Sequence, residues 1–261
     1  MKHLGILKPD TLVNLLNFIG STAAIIYVFC MFIWPWVSGH GDWVYVQAIW
    51  DRWQGLNVGM LAFISSVTAF NISRYNAEKQ RSRDFLAAKA FLPAALSELI
   101  SYFINSGRVF NLGWESRNDG NQNFEIPELP REYKSVFGDC IRHAEPNVGD
   151  NLSRILVWLQ IHDSRMRDYA EQHRGNGGSR SDRRTLITYF YRLGELQALV
   201  NKLFDFARNM GEFDSSPLNW EDFRSAYFGL GLIIENISVD DQMNLEAFTR
   251  RQIERHSSQN T

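Results

Sequence analysis

Two stretches of the chain, Leu12–Trp34 and about Gln54–Ser73, are mostly apolar and hold no charged side chain. Nothing else in the sequence limits the fold so strongly. A helix of about 20 such residues reaches across the hydrocarbon core of a bilayer. It also satisfies its own backbone polar groups there, which a lone strand or loop does not. The segment between them, Pro35–Trp53, carries only His40, Asp42, Asp51 and Arg52 as charged residues or histidine. The pattern predicts a transmembrane hairpin over residues 1–73, with spans at about 12–34 and 54–73 and an outer loop at 35–53. Residues 74–261 then form a cytoplasmic helical domain, and the fold class is all-α.

Orientation follows from the cations. Lys2 and Lys8 precede the first span, Arg74, Lys79, Arg81 and Arg83 follow the second, and only Arg52 lies between them. The positive-inside bias puts both termini in the cytoplasm and the loop outside. Five of the eight tryptophans (Trp34, Trp36, Trp43, Trp50 and Trp53) fall in or beside that loop. An indole pairs an apolar body with one N–H donor, so these rings are expected at the headgroup level rather than in a folded knot. A secretory leader is the main rival for the first span, but the apolar run is too long and Val37-Ser38-Gly39 is a poor cleavage match.

Of the 27 lysines and arginines, 24 follow residue 73, as do 26 of the 29 acids, a balance that argues against a general nucleic-acid surface. Cys30 and Cys140 offer neither a disulfide framework nor metal-ligand spacing, which fits a reducing compartment.

The second span is expected to continue as a helix through Ser82. A further helix is read in Asp84–Asn105, with Phe85, Leu86, Phe91, Leu92, Leu96, Leu99, Ile100 and Phe103 at three- and four-residue steps; Pro93 predicts a kink or a restart near Leu92. Gly107–Pro130 reads as loop, with a turn at Asn118–Asn121. Helices follow at Arg131–His143, Asn151–His173, Arg183–Met210, Pro217–Asn236 and Asp240–Arg255, with Gly175–Ser179 as a flexible connection. The apolar run Gly229–Ile234 reads as tightly packed core helix.

Within the spans, Gly55, Gly59, Ala62, Ser66, Ala69 and Ser73 recur at spacing 4, 3, 4, 3, 4 and share one stripe, where another helix backbone can come close. Asn57, Thr68 and Asn71 lie on a different face of the second span, and Asn14, Asn17 and Ser21 share a face of the first. Intramembrane amides need partners. The small stripe either packs the second span on the first, with asparagines bridging, or serves assembly into a homo-oligomer whose asparagine faces line a watery path. No charged ring or filter motif marks a selective channel.

Chemical constellations are sparse. His143, the His162-Asp163 pair and Asp205 resemble the metal-ligand set of all-α phosphohydrolases, but Ser164-Arg165 stands where a Gly-Lys neighbourhood is usual. A surface His-Asp pair is the plainer reading. Cys140 and His143 share helical i, i+3 spacing, yet nothing marks an orienting third group, and a core cysteine is expected. Gly175–Ser179 lacks the Lys-Ser/Thr of a phosphate loop. No catalytic residue, metal, cofactor or small-molecule substrate is therefore expected. The densest polar feature is Arg165, Arg167, Arg174, Arg180, Arg183, Arg184 and Arg192 within 28 residues, offset by Asp163, Asp168, Glu171 and Asp182. Such guanidinium groups suit bidentate phosphate contacts. A solvated, ion-paired helical face is the plainer account of the same residues.

From Met60 to Phe103, the segments Leu-Ala-Phe-Ile-Ser-Ser, Asn-Ile-Ser-Arg-Tyr-Asn and Lys-Ala-Phe-Leu-Pro-Ala-Ala-Leu-Ser-Glu-Leu resemble a group of small bacterial inner-membrane proteins. The layout is similar to that of two-span antiphage effectors, including membrane proteins encoded beside retron reverse transcriptases. The resemblance implies an abortive-infection role, in which a quiescent membrane protein is released to damage the inner membrane. A ribonucleoprotein or other cytoplasmic partner would restrain it, with the lipid bilayer and further copies of the chain as its other partners. A membrane-anchored scaffold or signalling adaptor is the alternative.

Overall fold

The computed structural model describes residues 9–115, 125–173, 183–240 and 243–259. They are almost wholly helical, and they divide into two compact units, Met1–Gln80 and Arg81–Thr261.

The first unit opens with α1 (Pro9–Val28), one π-helical turn (Phe29–Ile33) and α2 (Trp34–Ser38). The wide turn has a local cause. Pro35 has no N–H to give the carbonyl four residues back, at Met31, so the regular ladder fails there. Trp34 N–H reaches Phe29 O instead, and the freed Met31 carbonyl accepts the Trp50 indole N–H at 2.8 Å. His40 and Gly41, at φ 52° and 84°, reverse the chain. Asp42 then caps α3 (Trp43–Arg52) by accepting from Val44 N–H at 3.0 Å.

The expectation that the tryptophans of Pro35–Trp53 form no folded knot needs correcting. They do form a small knot, with the Trp36–Trp43 and Trp43–Trp50 rings 5.8 and 5.7 Å apart and Val46 fully buried. A short segment can do this because α3 folds back on the end of the first helix, where the orphaned carbonyl holds it.

α4 (Gln54–Lys89) begins in the first unit, passes its end at Gln80 and runs seven residues beyond the expected Ser82. Its half-buried positions between Gly55 and Ser73 are Asn57, Met60, Val67 and Asn71, one stripe at helical spacing. The Asn17 and Asn71 amides donate to each other at 3.2 Å, and Tyr27 O–H donates to Asn57. α1 and α4 thus meet through polar side chains. Both helices, from Asn17 and from Gln54, are long and apolar enough to cross a membrane.

In the second unit, α4 ends at Lys89, four residues before Pro93, which cannot donate to its carbonyl. α5 (Leu92–Glu115) restarts at once and runs into the first part of the stretch expected to be loop, whereas residues 125–130 are loop as expected. Gly107 is a packing position within this helix, where a Cβ would sit 3.6 Å from Leu193 and from the Leu230 carbonyl. The Asn118–Asn121 turn lies outside the described residues. α6 (Tyr133–His143) falls where it is expected, whereas α7 (Pro146–His173) starts earlier, with Pro146 at its first position.

α8 (Arg183–Ala207) is the central element, packed against α5, α7 and the two helices that close the chain. All seven of its expected core residues, Leu186, Phe190, Leu193, Leu196, Val200, Leu203 and Phe206, are buried. Facing them are Leu96, Leu99, Phe103 and Phe110 of α5 and Leu152, Ile155, Leu159 and Met166 of α7. Leu86 and Phe91, expected in the same stripe, are mostly exposed, because the break at Ala90–Phe91 rotates them out of register.

The last third departs most from expectation. α9 is only Trp220–Gly229, and Asn219 rather than Pro217 starts it through a capping box with Asp222. The apolar run expected as core helix is broken after Gly229: Gly231, at φ 70°, turns the chain, and only a 3-10 turn, Ile234–Asn236, follows. A short antiparallel pair, β1 (Ser238–Asp240) with β2 (Met243–Asn244), precedes α10 (Leu245–Gln259), so a helix from Asp240 is not formed. Tyr227 O–H and Thr249 Oγ1, 2.7 Å apart and buried, join α9 to α10. Gly194 lets α9 close on α8, since a methyl there would overlap the Tyr227 ring.

Candidate functional site

The second unit contains a cavity of about 550 Å³ lined by α7, α8, the loop before α9, and α10. Its floor is apolar and buried, formed by Tyr191, Leu199, Leu203 and Phe223. Its exposed rim includes Arg154, Asp214, Ser216 and His256. Successive turns of α7 supply Asn151, Arg154 and Trp158, and successive turns of α8 supply Tyr191, Glu195, Leu199 and Lys202.

Most of the charge here is already committed. Lys202 Nζ lies 2.8 Å from Asp214 and 3.7 Å from Asp222, and it donates to Ser216 Oγ at 2.7 Å. These bonds pin the 213–218 loop to α8. The Lys202 bond, with those from Ser216, holds the Asp214 carboxyl well below the usual carboxylate range. Glu195 pairs with Arg192 at 2.6 Å, and the Arg192 guanidinium in turn lies 4.2 Å from the Trp158 ring centre. Arg154 and His256 have no ion pair among the described residues. Asn151 Oδ1 is buried and accepts no hydrogen bond.

None of this was visible in the residues one by one. The lining comes from positions about a hundred residues apart, and the loop that closes it reads only as Ser-Pro punctuation.

The arginines selected by sequence density do not gather at the cavity. Arg167 pairs with Asp163 at 2.7 Å. Arg183 lies 4.8 Å from the Trp114 ring centre and Arg165 5.9 Å from that of Tyr189. Arg192 is committed to Glu195, and Arg184 is exposed in the first turn of α8. Arg174, Arg180 and the Gly175–Ser179 connection lie outside the described residues.

The metal-ligand reading finds no geometry, since no group of three His, Cys, Asp or Glu among the described residues could hold an ion. His162 is also not a surface residue. It is buried among the Tyr102, Phe103 and Phe110 rings, and burial, reinforced by the Arg165 charge, pushes its pKa down to about 3. Cys140 is fully buried, and burial, with Asp139, pushes its thiol up to about 11 against an opposing effect of Lys89. Such a thiol is a poor nucleophile.

In the first unit, a Cβ on Gly55 or Gly59 would meet nothing within 4 Å, and Ala62, Ser66, Ala69 and Ser73 are exposed along with Thr68. The small stripe is therefore not the face that meets α1. Asn17, Asn57 and Asn71 are the bridging residues, while Asn14 is exposed and Ser21 bonds back to Phe18 O. Compared with known proteins, the chain matches no family model, no curated protein and no solved structure.

Proposed function

We propose that this chain is an abortive-infection effector of a bacterial antiphage system, held in the inner membrane with both termini in the cytoplasm. A cytoplasmic partner such as a ribonucleoprotein restrains the helical second unit. Release lets the first unit assemble with further copies and permeabilise the bilayer.

One observation carries the reading: α4 has two faces suited to helix neighbours, and α1 occupies only one. The Asn57–Asn71 face is bonded to α1, whereas the Gly55–Ser73 stripe stays uncovered, with room for another helix backbone to come close. Polar groups within a bilayer favour such neighbours over lipid.

The test is membrane potential and dye entry in cells induced for the full chain, beside a version starting at Arg74. Rapid depolarisation is expected only when residues 1–73 are present. Gly59→Leu or Ser66→Leu is expected to abolish it without preventing insertion, and toxicity that survives both changes excludes the stripe. An intact potential with both versions fits a membrane-anchored scaffold or adaptor, whose activity would survive replacement of both spans by an unrelated hairpin.

A further inference from the structure

We propose that the cavity of the second unit binds a small organic anion with a ring-bearing body, the ring against Trp158 and Phe213 of the lining and the anionic group at Arg154 and His256. The inference does not rest on the membrane reading.

The argument starts from what is left over once internal pairs are removed. Lys202 is answered by Asp214 and Asp222, and Glu195 by Arg192. Arg154, with an always-charged planar fork of donors, remains uncommitted on the rim together with His256. A carboxylate or phosphate oxygen is the partner that such a fork holds best.

The body of the ligand is set by the lining. Trp158 and Phe213, half-buried, present aromatic surface, and Leu218 and Ile253 extend it, while Tyr191 and Phe223, buried and stacked with ring planes 15° apart, close the floor. Ring edges and offset faces favour aromatic partners over a bare ion. A volume of about 550 Å³ is that of a metabolite-sized site rather than an ion site. Asn151 Oδ1 adds a polar preference: a buried acceptor without a donor is costly, and an N–H or O–H on the ring would satisfy it. Lys202 and its loop shape the wall without consuming the rim cation.

The full chain in detergent micelles is titrated calorimetrically with AMP, indole-3-acetate, inorganic phosphate, acetate, adenosine and indole. A ring-bearing anion is expected to bind saturably, at least ten-fold tighter than the bare anion or the neutral ring. Preference for AMP identifies a phosphate-bearing ligand, and preference for indole-3-acetate a carboxylate-bearing one. Arg154→Gln is expected to weaken that binding at least ten-fold with an unchanged melting temperature. Arg131→Gln, which removes only a surface pair with Glu128, is expected to leave it unchanged. Failure of both ring-bearing anions to bind, or equal binding by Arg154→Gln, overturns the proposal.

Discussion

The two units are built from the same element and use it in opposite ways. Among the described residues before Arg81, Met31 and Val46 are the only buried apolar side chains apart from Pro35, while Phe18 and Ile25 are about 70% exposed. After Arg81, α5, α7 and α8 close around a continuous core that includes Phe103, Phe110, Phe137 and Phe190. The difference lies in patterning. The parts of α1 and α4 that lie within Leu12–Ser73 carry no charge and spread apolar residues around the helix, whereas α5 and α8 confine their apolar residues to stripes. In the first unit, helix contact is directional and polar; in the second it is non-directional and apolar.

That contrast can be broken at its strongest point by truncating the shared core. Phe110→Ala, at a fully buried position among Tyr169, Tyr189 and Phe190, is expected to destabilise the second unit by about 3–5 kcal/mol. Phe70→Ala, about half exposed on α4, is expected to change it by less than about 0.5 kcal/mol. Denaturant unfolding of the full chain in micelles, followed by near-ultraviolet circular dichroism, measures both.

Acid probes the same core through His162. Its folded pKa, about 3, lies below the ordinary value of 6.5, so the folded state keeps it neutral while the unfolded chain takes up a proton. Its contribution is complete above pH 6.5 and is lost as pH falls towards 3, at roughly 1.4 kcal/mol per unit. By pH 4.5 the expected loss is roughly 3 kcal/mol. His162→Phe should flatten this part of the stability profile; an unchanged slope would mean that His162 is protonated in the folded protein.

The smallest effect tests the polar side of the contrast. Asn71→Leu removes the reciprocal amide bonds with Asn17 and is expected to weaken the α1–α4 contact by about 1 kcal/mol. Unfolding in increasing fractions of denaturing detergent would read it. A stabilising effect would mean that apolar packing, not the amides, joins the helices.

How much of this was legible depended on how local each cause is. Pro93 ends α4 through its own missing donor, and the core stripe of α8 repeats every three or four residues, so both could be read directly. α5 outran its expected end because Gly107 and Gly113 are packing positions against α8 and α7, a property their neighbours in sequence do not reveal. α9 is short at both ends, because Asn219 displaces Pro217 as its start and Gly231 turns the chain just past Gly229. The β1–β2 pair is a local hairpin of only three and two residues, too short for an alternating pattern to show. The cavity was hidden because distant segments build it. Arg154, Tyr191 and His256 acquire a shared meaning only when α7, α8 and α10 converge.

The bond from Trp50 to the Met31 carbonyl makes Pro35 and Trp50 a single heritable unit. With another residue at 35, a backbone N–H becomes available to Met31, and an indole at 50 loses its reason to be kept. With another residue at 50, the proline leaves a carbonyl unanswered. In relatives of this chain the two positions should change together or not at all, a covariation set by one absent hydrogen.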